Sequence, residues 1–247
     1  MDLHNKVAII TGGTQGIGAE TALALAAQGA HIALVARHTG DGTVQKKIEA
    51  MGMPCMMVTA DLSKEAACVR VINAVQTHYG RIDMLIHSAG AAAPGSLLNG
   101  ARAVWYEAFD IHVHAIFHLC RAAVPAMQAN KAGAIVLISS AAGIRGVKNA
   151  LAYAVVKGAI PQFCRALAFE LSPYNITVNC VSPGIIRTRF QDYLTPEQVK
   201  NNISNRIPLQ REGTPEDVAS VICTLVKNRF ITGENIVIDG GMTMRIV

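Results

Sequence analysis

Three side chains between Ser140 and Lys157 have the types and spacing that carbonyl chemistry uses: the hydroxyl of Ser140, the phenol of Tyr153 and the amine of Lys157. Tyr153 and Lys157 are four apart, so on a helix they share one face, with Cβ atoms about 5–6 Å from each other. Ser140 follows the apolar run Ala134-Ile135-Val136-Leu137-Ile138, whose length and β-branched content predict a buried strand. A free phenol, with a pKa of about 10, exchanges protons poorly near neutrality. An ammonium within about 4–6 Å favours the phenolate and lowers that value. Lys157 would thus tune Tyr153 for general acid–base work, while the Ser140 hydroxyl donates to a carbonyl oxygen that is gaining negative charge. A tyrosine beside a surface lysine is also an ordinary arrangement, so the surrounding elements must decide.

From the start of the chain, Lys6–Thr11 predicts a buried strand that runs into Gly12-Gly13-Thr14-Gln15-Gly16-Ile17-Gly18, followed by helical periodicity over Ala19–Gln28. Strand, glycine loop and helix make a phosphate cradle. The glycines allow a tight turn and close backbone approach, and the helix N-terminus presents free N–H groups. The second strand, His31–Ala36, ends where a dinucleotide's adenosine ribose would lie. An acid there binds a 2′-hydroxyl and an arginine accommodates a 2′-phosphate. The chain has Arg37-His38 and no carboxylate before Asp41, which favours NADP over NAD.

Gly42–Met51 predicts a short helix and Pro54–Ala60 a third strand. Asp61, followed by Leu62, either accepts from an adenine amino group or caps the helix beginning near Lys64. Asp83–His87 is a fourth strand, and Ser88-Ala89-Gly90 leaves room for a cofactor against the backbone. Trp105, Phe109, His112, Ile116 and Leu119 recur at helical spacing, which puts His112 on an apolar stripe; Pro125 should kink or end that helix. The Tyr153 helix runs to Leu171. A sixth strand, Ile176–Val181, leads into Ser182-Pro183-Gly184, and residues 185–207 form a candidate lid. Thr214-Pro215-Glu216-Asp217 starts a capped helix, and Asn235–Ile238 is the last strand.

The 247 residues suit one large α/β domain, and 51% hydrophobic with only 5% aromatic residues suits helices packed on a parallel sheet. The net charge is +5, but lysines and arginines are scattered without interleaved aromatics, which argues against nucleic acid. Six cysteines show no C-x-x-C pair and no clustering with histidine, so a reduced, metal-free, cytoplasmic protein is expected. No secretory leader or membrane span is expected either.

Taken in order, Thr11-Gly12-x-x-x-Gly16-x-Gly18, Ser88-Ala89-Gly90, Ser140-x-x-Gly143, Tyr153-x-x-x-Lys157, Pro183-Gly184 and Asp239-Gly240-Gly241 resemble the short-chain dehydrogenase/reductase family, in its roughly 250-residue branch, over essentially the whole chain. The resemblance implies a doubly wound α/β fold (a Rossmann fold): a seven-stranded parallel sheet with helices on both faces, in a single domain. It implies that Tyr153 transfers the proton while a nicotinamide transfers hydride, that Lys157 holds the nicotinamide ribose, and that Ser140 orients the carbonyl. It also implies that Gly12, Thr14, Gln15, Ile17 and Gly18 surround pyrophosphate and ribose, that Asp61 and Leu62 meet adenine, that Ala89 and Gly90 meet the adenosine side, and that Pro183, Gly184, Ile186 and Thr188 meet the nicotinamide amide. A homotetramer or homodimer is implied as well.

Two positions depart from the family pattern. His87 opens a segment that is usually Asn-Asn-Ala-Gly, and His112 stands where the family has a fourth catalytic residue, an asparagine that helps to hold a water beside the lysine. The relay can persist through the backbone carbonyl, or the imidazole can join it and add a pH dependence. Substrate walls are expected at Ala92, Ile144, Arg145, Val147, Phe190 and Tyr193, most of them apolar, which favours a hydrophobic ketone, aldehyde or secondary alcohol. An acyl-carrier-linked 3-oxo group and a catalytically silent dinucleotide sensor are the alternatives.

Overall fold

The computed structural model describes residues 1–192 and 194–244. Seven short strands, β1 (Val7–Thr11), β2 (His31–Ala36), β3 (Cys55–Thr59), β4 (Met84–His87), β5 (Gly133–Ile138), β6 (Ile176–Pro183) and β7 (Asn235–Ile238), pair side by side in one parallel sheet of order β3-β2-β1-β4-β5-β6-β7. Because both faces of a parallel sheet are covered, its strands read as continuous apolar runs. In β1 all five residues are buried, and they divide by the two-residue period of a strand. Val7 and Ile9 enter one core layer and Ala8 and Ile10 the other.

The first layer is closed by α3 (Glu65–Tyr79), α5 (Ala115–Ala129) and α6 (Leu151–Leu171), through residues such as Val71, Leu119 and Ile160. The second is closed by α1 (Gly16–Ala26), α2 (Thr43–Ala50) and α8 (Pro215–Lys227), through Leu25, Ile48 and Ile222. Each fully buried Leu or Ile contributes roughly 1.5–3 kcal/mol of transfer free energy, so the sheet is held from both sides. Strand order reverses between β1 and β4, and the crevice beyond the carboxyl ends of the strands at such a point is where ligands bind in this architecture. Thr11, His87, Ile138 and Pro183 are the strand-end residues that face it.

Several local expectations need correction. Helix α1 begins at Gly16, inside the glycine loop, three residues earlier than its periodicity suggests. Pro125 does not end its helix, which continues to Ala129. Arg121, whose carbonyl the missing N–H would have bonded, is on the exposed side, where water can take that acceptor. The break comes earlier: α4 (Arg102–Phe109) passes into a π-helical turn at Asp110–His114 before α5 begins. Asp61 does not cap α3, since its carboxylate accepts from the Ser63 N–H at 3.1 Å in a local turn and the N-cap, Lys64, makes no side-chain bond. By contrast, Thr214 and Asp217 form the expected reciprocal cap at the start of α8.

Candidate active site

Ser140 follows β5 and caps a 3₁₀ turn, Ala141–Gly143, with its Oγ accepting from the Ala142 N–H at 3.1 Å. That arrangement fixes the oxygen and leaves its own proton free to be given. The turn lies against the backbone of α6: a Cβ on Gly143 would stand 2.6 Å from the Lys157 carbonyl carbon, so only glycine lets the serine turn close on the lysine turn. Ser139 Oγ reinforces the same junction by donating to the Lys157 carbonyl oxygen at 2.7 Å. In the sequence Ser139 is marked only as a second hydroxyl at the end of a buried strand, beside a neighbour with the more obvious chemistry.

Lys157 is 6% exposed and donates from Nζ to the Ile138 carbonyl oxygen at 2.7 Å. Burial disfavours its charged form and pulls the pKa down to about 7. Its ammonium stands 5.6 Å from the centroid of the Tyr153 ring, one helical turn away. On the other sides of that ring lie the His112 imidazole, edge-on at 5.7 Å between centroids, and the Phe190 ring at 6.1 Å. The fold therefore gathers Tyr153, Lys157, His112 and Phe190 around one point, from α6, the π turn and the segment after β6.

The two unusual histidines are both buried, at 2% exposure each. His87 Nδ1 is 3.0 Å from Thr11 Oγ1, and its Nε2 is 3.1 Å from the Ile111 carbonyl oxygen. A carbonyl only accepts, so Nε2 carries the proton and Nδ1 accepts from the threonine hydroxyl. That hydroxyl also accepts from the Ser88 and Ala89 N–H groups, each at 3.1 Å. His112 Nε2 lies 2.9 Å from the Ala91 carbonyl oxygen and 3.3 Å from the Ala91 nitrogen; a carbonyl only accepts, so the shorter of the two contacts puts the proton on Nε2. Desolvation first, and the nearby Lys157 charge second, push His87 down to about 4 and His112 to about 2. Both are neutral near pH 7, so neither imidazole supplies a titration in that range.

The candidate cofactor residues converge on the same crevice. Gly12 and Gly16 hold φ of 66° and 56°, the left-handed region glycine favours, and a Cβ on Gly18 would meet the Gly12 carbonyl oxygen at 2.3 Å. The N-cap of α1, Gln15, makes no side-chain cap bond, so the first-turn N–H groups are available to an anion, the fit a pyrophosphate requires. A Cβ on Gly12 would touch the Ser88–Ala89 backbone at 3.0 Å, and one on Gly16 the Thr188 side chain at 3.2 Å. The glycine loop, the turn after β4 and the segment after Pro183-Gly184 therefore line one site. Arg37 and His38 stand exposed just beyond β2, and the local Ser63 bonds, then the Lys64 charge and last the Arg37 charge lower the Asp61 pKa. Leu62 and Ile186 have core side chains, at 3% and 4% exposure, so only their backbones can face a ligand.

Of the expected substrate walls, Ile144, Val147 and Phe190 are exposed apolar groups, and Phe190 lies against the Tyr153 ring. The loop carrying Ala92 is joined to the loop carrying Val147 by backbone bonds, Gly95 N–H to Asn149 O at 2.8 Å and Leu151 N–H to Gly95 O at 3.1 Å. Arg145 is not aimed at a substrate. Its guanidinium gives two hydrogen bonds, 2.9 and 2.6 Å long, to the Thr243 carbonyl oxygen near the C-terminus. Arg187 is paired with the buried Glu212 carboxylate. The lid contains a 3₁₀ turn at Arg189–Gln191, α7 (Pro196–Asn201) and a π turn at Asn202–Arg206. Tyr193 lies outside the described residues.

A strand-order switch point lined by a glycine loop, with serine, tyrosine and lysine beside it, defines a dinucleotide-dependent oxidoreductase. The family model described as Enoyl-(Acyl carrier protein) reductase matches residues 12–243. A 3-oxoacyl-acyl-carrier-protein reductase of Chlamydia muridarum is 33% identical over 97% of this chain and 98% of its own. Tropinone reductase-like 3 of Erythroxylum coca is 34% identical over 98% and 95%. Among solved structures, a short-chain type dehydrogenase/reductase from Mycobacterium marinum superposes with a TM-score of 0.93 at 31% identity, covering 99% of this chain and 98% of that one. The chain belongs to the short-chain dehydrogenase/reductase family. It is an NAD(P)-dependent oxidoreductase acting on CH–OH and C=O groups. No helix among the described residues is long and apolar enough to cross a membrane.

Proposed function

We propose that the protein reduces a hydrophobic ketone or aldehyde with NADPH, reversibly. The observation that carries this reading is the buried Lys157 ammonium, anchored on Ile138 and 5.6 Å from the Tyr153 ring. When bound, the cofactor supplies the hydride that adds to the carbonyl carbon. Ser140 donates a hydrogen bond to the carbonyl oxygen and Tyr153 gives it the proton, which leaves a phenolate that the Lys157 charge stabilises. The product is the secondary or primary alcohol, and the reverse path returns the proton to Tyr153.

Arg37, exposed at the end of β2 with no acid between it and Asp41, supports NADPH over NADH. Ile144, Val147 and Phe190 support an apolar substrate. The carrier-linked relatives favour a second reading, reduction of a 3-oxoacyl thioester. A silent nucleotide sensor is disfavoured by the intact Ser140, Tyr153 and Lys157. Exposed Tyr106, Phe117, Val155 and Phe169 on α4, α5 and α6 support a homo-oligomer, a tetramer or a dimer, checked by light scattering after gel filtration. All six cysteines are free, consistent with a cytoplasmic location.

The test follows absorbance at the nicotinamide band with free ketones, aldehydes and 3-oxoacyl thioesters, using NADPH and NADH in parallel. Turnover of free ketones with NADPH is expected, and Arg37→Asp should shift the preference toward NADH. Tight nucleotide binding with no turnover would favour the sensor, and preference for the thioesters the carrier reading.

A further inference from the structure

We propose that His112 is a positioning residue: its imidazole, as the Nε2–H tautomer, locks the turn Ser88–Ala91 onto the helical turn Asp110–His114 and occupies the space that obliges residue 90 to be glycine. The inference rests on the reading of Ser88–Gly90 as a cofactor-facing turn. Four observations carry it. The Nε2–H donates to the Ala91 carbonyl oxygen at 2.9 Å. The three atoms nearest a Cβ built on Gly90 all belong to this ring, with Cε1 at 2.4 Å. The backbone that carries the ring is fixed, since Ala115 N–H bonds Asp110 O across five residues and the adjacent Ile111 carbonyl is taken by His87 Nε2–H at 3.1 Å. His87 in turn accepts from the Thr11 hydroxyl that also holds the Ser88 and Ala89 N–H groups.

Two histidines thus tie the cofactor turn to the π turn at both ends, His87 through Thr11 and His112 through Ala91. His112 spends its only proton on Ala91, and its buried Nδ1 has no hydrogen-bond partner. In this state the ring can accept a hydrogen bond and has no proton to pass on. Asparagine in its place would still donate to Ala91 but would not fill the space over Gly90.

The experiment titrates NADPH and NADH fluorescence with the full-length protein and with His112→Asn, His112→Ala, Gly90→Ala and the Gly90→Ala/His112→Ala double variant, alongside melting temperatures. Imidazole ¹⁵N spectra of the wild type accompany them. The expected spectrum shows a protonated Nε2 and a bare Nδ1. Removing one hydrogen bond predicts roughly five- to tenfold weaker nucleotide binding for His112→Ala, with His112→Asn between it and wild type and the pH profile of turnover unmoved. Gly90→Ala should weaken binding at least tenfold with His112 present, and the double variant should recover most of that loss.

A protonated Nδ1, or equal harm from Gly90→Ala in both backgrounds, overturns the proposal. So does wild-type nucleotide affinity in His112→Ala combined with a lost limb of the pH profile, which would make the imidazole a proton carrier. If the wild type binds neither nucleotide, the functional reading fails, while the tautomer and the non-additive melting temperatures of the Gly90 and His112 variants still judge the lock.

Discussion

At the scale of single residues, the proposed mechanism rests its proton chemistry on Tyr153 and its electrostatics on Lys157. Tyr153→Phe keeps the ring that packs against His112 and Phe190 and removes only the exchangeable proton. Turnover should fall by about 10²–10⁴, while NADPH affinity measured by fluorescence stays within a few-fold of wild type. Lys157 carries a cost of its own. Its folded pKa is about 7 against an ordinary value of 10.5, so between these pH values the unfolded state binds more protons and stability rises with pH. Below pH 7 the full cost of burying the ammonium is present. Lys157→Met should therefore abolish turnover yet raise the melting temperature. That gain should be largest at pH 6 and shrink toward pH 10, a trend that paired thermal scans would reveal; a gain independent of pH would exclude burial of charge as the cause.

At the scale of elements, the separation between Ser140 and Tyr153 is set by one glycine and one hydroxyl. Gly143→Ala would push the 3₁₀ turn off the Lys157 backbone, which a Cβ would approach to 2.6 Å. It should lower kcat by at least about 10²-fold, as misplacement by an ångström does, measured by steady-state kinetics. Ser139→Ala removes the 2.7 Å bond to the Lys157 carbonyl and should cost about 1 kcal/mol of stability with a smaller loss of turnover, measured by denaturant titration. These contacts also mark where the sequence stopped being legible. Strand ends and the helix of Tyr153 and Lys157 follow from local periodicity, so the positions of Ser140, Tyr153 and Lys157 in the fold were legible, while their proposed roles came from the motifs taken together. The partner of Arg145 is a carbonyl 98 residues away, the break in the long helix is a π turn rather than the visible proline, and Asp61 satisfies a local turn. No spacing rule reports such tertiary choices.

Across the whole molecule, the sheet reverses its order between β1 and β4, and His87 spans that seam by bonding Thr11 on β1 and Ile111 on the π turn. The groups facing it are the Thr11 hydroxyl, the Ile111 carbonyl, the Lys157 ammonium and the His112 imidazole, with no carboxylate contributing to its shift. Protonating His87 removes the acceptor for the threonine proton and sets a cation beside another in a buried seam. Its folded pKa of about 4 lies below the ordinary 6.5, so the unfolded state takes up the proton first as pH falls. The stability His87 contributes as a neutral group is complete above pH 6.5 and is lost progressively down to about pH 4, by at most about 3 kcal/mol. His112, shifted the same way by the same burial, extends the loss over that range. Wild type should thus lose melting temperature steadily from pH 6.5 to pH 4.5. His87→Asn, which has no group to titrate there, should start lower at pH 7.5 and fall less, so that the two curves converge in acid. Parallel curves would assign the acid sensitivity to groups outside the seam.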